Sequence, residues 1–154
     1  MTYLVVKWLH ILSSTLLFGT GIGTAFFLLS TTLSRNVASI ATVTRHVVRA
    51  DWLFTATTAV IQPVTGLWLI HLAGIPLGTR WVAWSLAFYA AAIACWLPVV
   101  WLQMRMRDIA QVAAREGAAL PREYWLCFRY WTILGFPAFI AFLTIFYLMV
   151  FRPT

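Results

Sequence analysis

Three histidines are the side chains of this sequence best suited to metal or proton chemistry, and they lie in or beside long apolar runs. His10 lies about seven residues inside the first run, roughly 10 Å from its outer boundary at the rise of an α-helix. His71 lies near the end of the second run, and His46 lies in a basic connection, where a headgroup-facing role is expected. Because an ionisable side chain inside lipid is costly and usually functional, His10 is the leading candidate.

Helical periodicity places small and polar residues at matching depths in the first two runs. The first stripe consists of His10, Ser14, Leu17 and Gly21. The second consists of Asp51, Thr55, Thr58, Gln62 and Gly66. Because Gly66 and His10 have equal depth, the two stripes are predicted to enclose a flat, porphyrin-sized slot.

The direction of His71 leaves the second ligand open. On a straight helix, His71 points about 180° away from Gln62 and its stripe. A pair of axial ligands formed by His10 and His71 in one subunit is therefore compatible with the sequence without being required by it. There are two alternatives for His71. It either binds a cofactor shared with a second subunit or lies at the membrane surface.

Other metal sites lack their ligands in this sequence. Cys95 and Cys127 lie on different runs and form no C-x-x-C pair, and no three or four zinc ligands cluster. Met104 and Met106 lie among arginines rather than with a histidine, which argues against copper. A haem needs only one or two axial ligands, and histidine is the usual one.

Haem b is therefore the predicted cofactor, with His10 and His71 as candidate iron ligands. The other predicted binding residues are Gly21, Gly66 and Gln62 in the slot, and Lys7 and Arg80 beside the haem propionates. These two basic residues lie on the outer side, so the propionate edge is expected to face the periplasm.

The composition shows which elements must position these residues. The chain has 154 residues, of which 62% are hydrophobic and 10% charged, and its mean hydropathy is +0.87. Soluble proteins have about 45–50% apolar and about 25% charged residues, so a soluble enzyme, a disordered chain and a disulfide scaffold are excluded. The sequence indicates an integral membrane protein.

Four apolar runs are long enough to cross a bilayer, at about residues 3–29, 52–73, 81–103 and 124–151. They predict an all-α protein with one domain, residues 1–154, folded as a four-helix membrane bundle. The first run lacks a basic n-region and exceeds the roughly 7–15 residues of the apolar h-region of a signal peptide, so it is interpreted as a retained span. The third run is predicted to continue as a helix to Gly117, and residues 36–49 to form an interfacial helix or an extension of the second span.

The basic residues give the orientation. The net charge of +7 is concentrated in the two long connections between spans, which is typical of cytoplasmic loops and needs no nucleic acid as partner. These connections carry Arg35, Arg45, Arg49, Arg105, Arg107, Arg115 and Arg122. The opposite side has Lys7, Arg80 and Arg152. Both termini are therefore predicted to face the periplasm, with the protein in the bacterial inner membrane.

The first span, VKWLHILSSTLLFGTGIG, resembles that of small bacterial membrane families with a K/R-x-L-H start: the J-type protoporphyrinogen oxidase and the copper-resistance D-type membrane domain. The resemblance to a predicted integral membrane protein family of unknown function covers nearly the whole chain. It includes QPVTG at 62–66, RWVAWSL, WLPVVWLQMRM at 96–106 and the closing LMVFRP. The oxidase implies a haem ligand at His10. Its later-span Lys is lacking here, because Lys7 is the single lysine. Its Leu-Pro-Arg after the first span is also lacking, since this chain reads FFLLSTTLSR there, so haem binding is the property that the resemblance implies and protoporphyrinogen oxidation is not.

Three functions remain open at this point. A haem with two histidine ligands would suit electron transfer between quinol and a periplasmic partner, whereas His10 alone would suit an oxidase or a sensor. A cofactor-free transporter, lined by the stripe from Asp51 to Gln62 with Pro63, Pro98 and Pro137 as kinks, is the alternative. An assembly subunit is the third. The Gly19-x-x-x-Gly23 surface and the direction of His71 favour a homodimer among membrane lipids.

Overall fold

A computed structural model describes residues 1–153, and all regular structure in that range is helical. The elements are α1 (Thr2–Leu33), α2 (Val37–Ala50), a π-helical segment (Asp51–Thr55), α3 (Ala56–Leu72), α4 (Arg80–Glu116) and α5 (Arg122–Phe151). Four continuous helices are long and apolar enough to cross a membrane, since α2, the π segment and α3 form one helix of 36 residues. The predicted four-helix membrane bundle is confirmed.

The helix ends follow from local chemistry. Asn36 caps α2 by accepting a hydrogen bond from the Ser39 backbone N–H at 3.0 Å. Residues 36–49 are thus an extension of the second span. The third span continues to Glu116, as predicted, and ends where Gly117 adopts φ +63°, a conformation that costs glycine little. Helix α5 begins directly after Pro121.

The helices form two pairs that are joined at one end. Helix α1 packs against α3, helix α4 packs against α5, and α2 packs against both α4 and α1. Around α2, a core including Leu28, Ile40, Met106 and Tyr124 is almost fully shielded. The Tyr124 hydroxyl lies 3.0 Å from Thr32 Oγ1, which satisfies both buried groups. The bundle is therefore closed at its arginine-rich end.

At the opposite end the two pairs separate. Although residues 73–79 connect α3 to α4 directly, α3 packs mainly on α1, and α4 packs mainly on α5. The deepest aromatic contacts between the pairs are those of Phe18, whose ring packs against Phe139, Phe142 and Phe146. Beyond these rings, the space between the pairs is a cavity.

Pro63 determines one contact between the pairs. Proline has no N–H, so the carbonyl of Ala59, four residues earlier, loses its partner within the helix. The Tyr89 hydroxyl of α4 donates a hydrogen bond to that carbonyl oxygen. Inside a bilayer no water is available to bond this carbonyl, so the Tyr89 hydroxyl satisfies it and links α3 to α4 at the proline kink.

We expect Tyr89→Phe to lower the free energy of unfolding by about 1 kcal/mol, the order found for hydrogen bonds between membrane helices. In a Pro63→Ala background the Ala59 carbonyl regains a backbone donor, so the same substitution should cost clearly less. Unfolding in mixed detergent micelles measures both values. Tyr130→Phe, at an exposed tyrosine, is the matched control. Equal costs in the two backgrounds would contradict the assignment.

Candidate functional site

The cavity between the two helix pairs has a volume of about 560 Å³, within the range of small-molecule sites. Its lining is mainly apolar and comes from all four spans. Polar groups are contributed by His10 on α1, Gln62 on α3, and Ser85 and Tyr89 on α4. The cavity is thus an apolar chamber with a small number of placed polar groups.

His10 is held against α3 by both nitrogens of its ring. Its Nδ1 lies 2.8 Å from Thr65 Oγ1, and its Nε2 lies 3.2 Å from Gln62 Nε2. The Ser13 hydroxyl donates to Gln62 Oε1, so α1 contacts the same amide twice. Four side chains of two helices therefore form one polar network at the cavity wall.

The network fits one protonation pattern of His10. The Thr65 hydroxyl donates to the Ile61 carbonyl oxygen at 2.8 Å, so its oxygen can accept a hydrogen bond from His10 Nδ1–H. Gln62 can accept from Ser13 through Oε1, which leaves its Nε2 as a donor to His10. These contacts suit the neutral Nδ1–H tautomer, with the lone pair of Nε2 accepting from Gln62.

Gly66 allows the imidazole to lie close to α3. A Cβ at this position would be 3.1 Å from His10 Cε1, which is too close for an ordinary carbon contact. A Cβ at position 66 would therefore require the ring to shift by a few tenths of an ångström. The equal depth of His10 and Gly66 in the sequence corresponds to this direct contact.

The cavity rim is basic. Lys7 and Arg152 both line it, and no aspartate or glutamate does so within residues 1–153. Arg152 follows the end of α5, and its guanidinium lies 5.5 Å from the centre of the Trp81 ring. An amphiphilic ligand with an anionic end matches this combination of basic rim and apolar interior.

The structure brings together some of the predicted site residues and not others. Lys7, His10, Gln62 and Gly66 line the cavity. Three further predicted residues are exposed and do not line it: Gly21, His71 and Arg80. His71 follows Gly66 by five residues, which turns it about 140° around the helix. A ligand pair of His10 and His71 is therefore not formed within this cavity.

The inner half of the span-two stripe has a different environment. Asp51, Thr55 and Thr58 are buried within the bundle and do not line the cavity. The Thr55 hydroxyl donates to Asp51 Oδ1 at 3.0 Å. Asp51 makes no ion pair with Arg49, and it lies inside a continuous helix rather than at its start. The predicted stripe thus opens to the cavity only at Gln62 and Gly66.

Sequence reasoning missed three residues of the site: Ser13, Thr65 and Arg152. Ser13 follows His10 by three residues, and Thr65 precedes Gly66, so both lie at the edges of the stripes that the periodicity defined. Arg152 was visible as a basic residue on the outer side. Only the packing of α5 shows that it, rather than Arg80, reaches the rim.

The comparisons with known proteins give one match. A family model described as "Predicted integral membrane protein (DUF2269)" matches residues 4–153. No curated protein and no solved structure shows significant similarity to the chain.

We expect nitrogen NMR of protein labelled with ¹⁵N-histidine, prepared without haem, to show His10 protonated at Nδ1 and unprotonated at Nε2. Thr65→Val removes the acceptor for Nδ1–H and should make the two tautomers mix, whereas Thr65→Ser should preserve the pattern. His10→Asn assigns the signal. A proton on Nε2 in the wild-type protein would contradict the network.

Proposed function

The chain belongs to the DUF2269 family of predicted integral membrane proteins, and we propose that it binds haem b in the cavity with His10 as the iron ligand. Haem-based redox chemistry near the outer side of the bacterial inner membrane is the proposed activity. The observation that carries the proposal is a histidine, oriented by hydrogen bonds, in the wall of an apolar cavity with a basic rim.

The donor set suits a haem. An imidazole that ligates iron through Nε2 usually donates its Nδ1–H to a nearby oxygen, which fixes the ring and its tautomer. Thr65 Oγ1 already occupies that position at 2.8 Å from Nδ1. The apolar lining supports a porphyrin ring, and Lys7 and Arg152 at the rim support its two carboxylates.

Gln62 controls access to the iron-binding nitrogen. Its amide donates to His10 Nε2, so ligation requires Gln62 to release that atom. The Ser13 hydroxyl donates to Gln62 Oε1, so the amide oxygen keeps its partner when Gln62 Nε2 releases His10. In the ligand-free protein, Gln62 therefore satisfies a nitrogen that would otherwise be a buried, unpaired acceptor.

The geometry favours a single histidine ligand, His10, for the haem iron. His10 is the single histidine among the described residues that line the cavity, and the Tyr89 hydroxyl is committed to the Ala59 carbonyl. A bound haem supplies electron transfer or reaction with a small molecule at its free face. This supports an oxidase or a sensor more than a bis-histidine electron carrier, and it leaves quinol or a periplasmic protein as the electron partner.

The alternative, a cofactor-free transporter, has weaker support. Its path would follow Asp51, Thr55 and Thr58, and all three are enclosed by packed helices rather than by an open channel. A homodimer is a further proposal. A Cβ added to Gly19 or Gly23 would meet no atom within 4 Å, so this small-residue face is free in one copy to pack against another.

The first test is the visible spectrum of protein purified in detergent after expression with added haem. We expect a Soret band in the wild-type protein and its loss in His10→Ala. The band should persist in His71→Ala and in His46→Ala, the matched controls at exposed histidines. A colourless wild-type protein would overturn the proposal, and loss of the band in both His10→Ala and His71→Ala would restore the bis-histidine arrangement.

The basic rim gives a second test. Lys7→Gln and Arg152→Gln should each weaken haem binding by about 1 kcal/mol, or roughly fivefold in Kd, because each removes a partly exposed charge beside a carboxylate. Titration of haem-free protein, followed at the Soret band, measures these values. Arg80→Gln is the matched control, since Arg80 lies outside the cavity. If all three variants bind equally well, the rim does not hold the carboxylates.

A further inference from the structure

A buried carboxyl group lies outside the cavity and has no part in the proposed haem site. Asp51 begins the π-helical segment and is 4% exposed. It lies about 31 Å along the helix from Leu72, close to one hydrocarbon thickness, which places it at the inner membrane boundary. Ionised carboxylates are rarely buried unless a cation or several hydrogen-bond donors surround them.

No cation compensates this carboxyl. Within residues 1–153 the ion pairs are Arg105 with Glu123 and Arg107 with Asp108, so the α4 arginines nearest to this region are engaged elsewhere. The basic side chains of α2 precede Asp51 and are exposed: Arg45, His46 and Arg49.

The remaining titratable groups on the neighbouring helices are distant. Those of α1 are Tyr3, Lys7 and His10, which line the cavity in the other half of the bundle. On α3 the titratable group is His71, near the far end of the helix. The hydrogen-bond partner of Asp51 is thus a neutral hydroxyl, and none of the ion pairs within residues 1–153 includes this carboxyl.

The polar groups near Asp51 are a hydroxyl and an amide. The Thr55 hydroxyl donates to Asp51 Oδ1, and the side chain of Gln103 on α4 lies near the same carboxyl. Gln103 is 5% exposed, and its Oε1 has no hydrogen-bond donor. A buried acceptor without a donor is unusual and needs an explanation.

We propose that Asp51 is a proton-binding site, and that Gln103 is the partner of its protonated form. One proton adds to the carboxylate to give the neutral acid, and no other bond changes. The new O–H donates to Gln103 Oε1, the acceptor that lacks a donor, while the Gln103 N–H groups remain available to the carboxyl oxygen. When the proton leaves, Thr55 and the Gln103 amide stabilise the carboxylate.

The π-helical segment supports this assignment. The Ala56 N–H donates to the backbone carbonyl of Asp51, five residues earlier. The helix is therefore locally widened at the residue that carries the buried carboxyl. Such π turns inside α-helices are frequent at functional sites. This site is independent of the haem proposal, because it shares no residue with the cavity.

Labelling with dicyclohexylcarbodiimide tests the site, since this apolar reagent attacks protonated carboxyls in apolar surroundings. Trypsin separates the four acidic side chains of the chain onto four peptides, and residues 50–80 contain only Asp51. We expect label on that peptide, falling about tenfold per pH unit above the midpoint, as for a single titrating group. The peptides of Asp108, Glu116 and Glu123, all exposed, are internal controls.

Two variants sharpen the result. Thr55→Val removes a donor to the ionised form and should move the labelling midpoint to higher pH. Thr57→Val is the matched control, because Thr57 is exposed and its hydroxyl donates to the Leu53 carbonyl instead. A wild-type peptide that stays unlabelled, or is labelled equally at every pH, would overturn the proposal. Protection by sodium chloride but not by choline chloride would replace it with a sodium site.

Discussion

Every polar group inside a bilayer must find its partner within the protein, and this constraint organises the bundle. Pro63 leaves the Ala59 carbonyl without a donor, and Tyr89 supplies one from α4. That contact lies where the two helix pairs begin to separate. The proline therefore does more than kink α3, because the orphan carbonyl fixes the point at which α4 approaches it and thus the floor of the cavity.

The same constraint shapes the proposed ligand site. A histidine in lipid would be costly if either ring nitrogen lacked a partner, so Thr65 and Gln62 occupy both. The contact of Thr65 with Nδ1 orients the ring as the proposed iron ligation through Nε2 requires. The bond from Gln62 to Nε2 would compete with that ligation. In the proposed haem complex, the iron–nitrogen bond would replace the bond from Gln62, so loss of that bond would reduce the net gain from ligation.

The sequence was sufficient for elements that depend on one helix at a time. Hydropathy predicted four spans, Gly117 marked the end of α4, and helical periodicity matched His10 with Gly66 in depth. The sequence was not sufficient for features that depend on how two helices pack against each other. Which basic residue reaches the rim depends on how α5 packs, so Arg152 rather than Arg80 was found there. The residues that bond to His10 likewise depend on the close approach of α1 to α3.

The span-two stripe shows how packing divides one surface into two environments. From Asp51 to Thr58 the stripe is buried and the π-helical segment packs against α1, so its polar residues bond to one another or to the preceding turn of the helix. Beyond Thr58, the continuation of the same stripe at Gln62 and Gly66 borders the cavity between the two helix pairs. One polar stripe in the sequence therefore contains a buried carboxyl at one end and part of a cavity wall at the other. The difference arises from the separation of the two helix pairs rather than from the stripe itself.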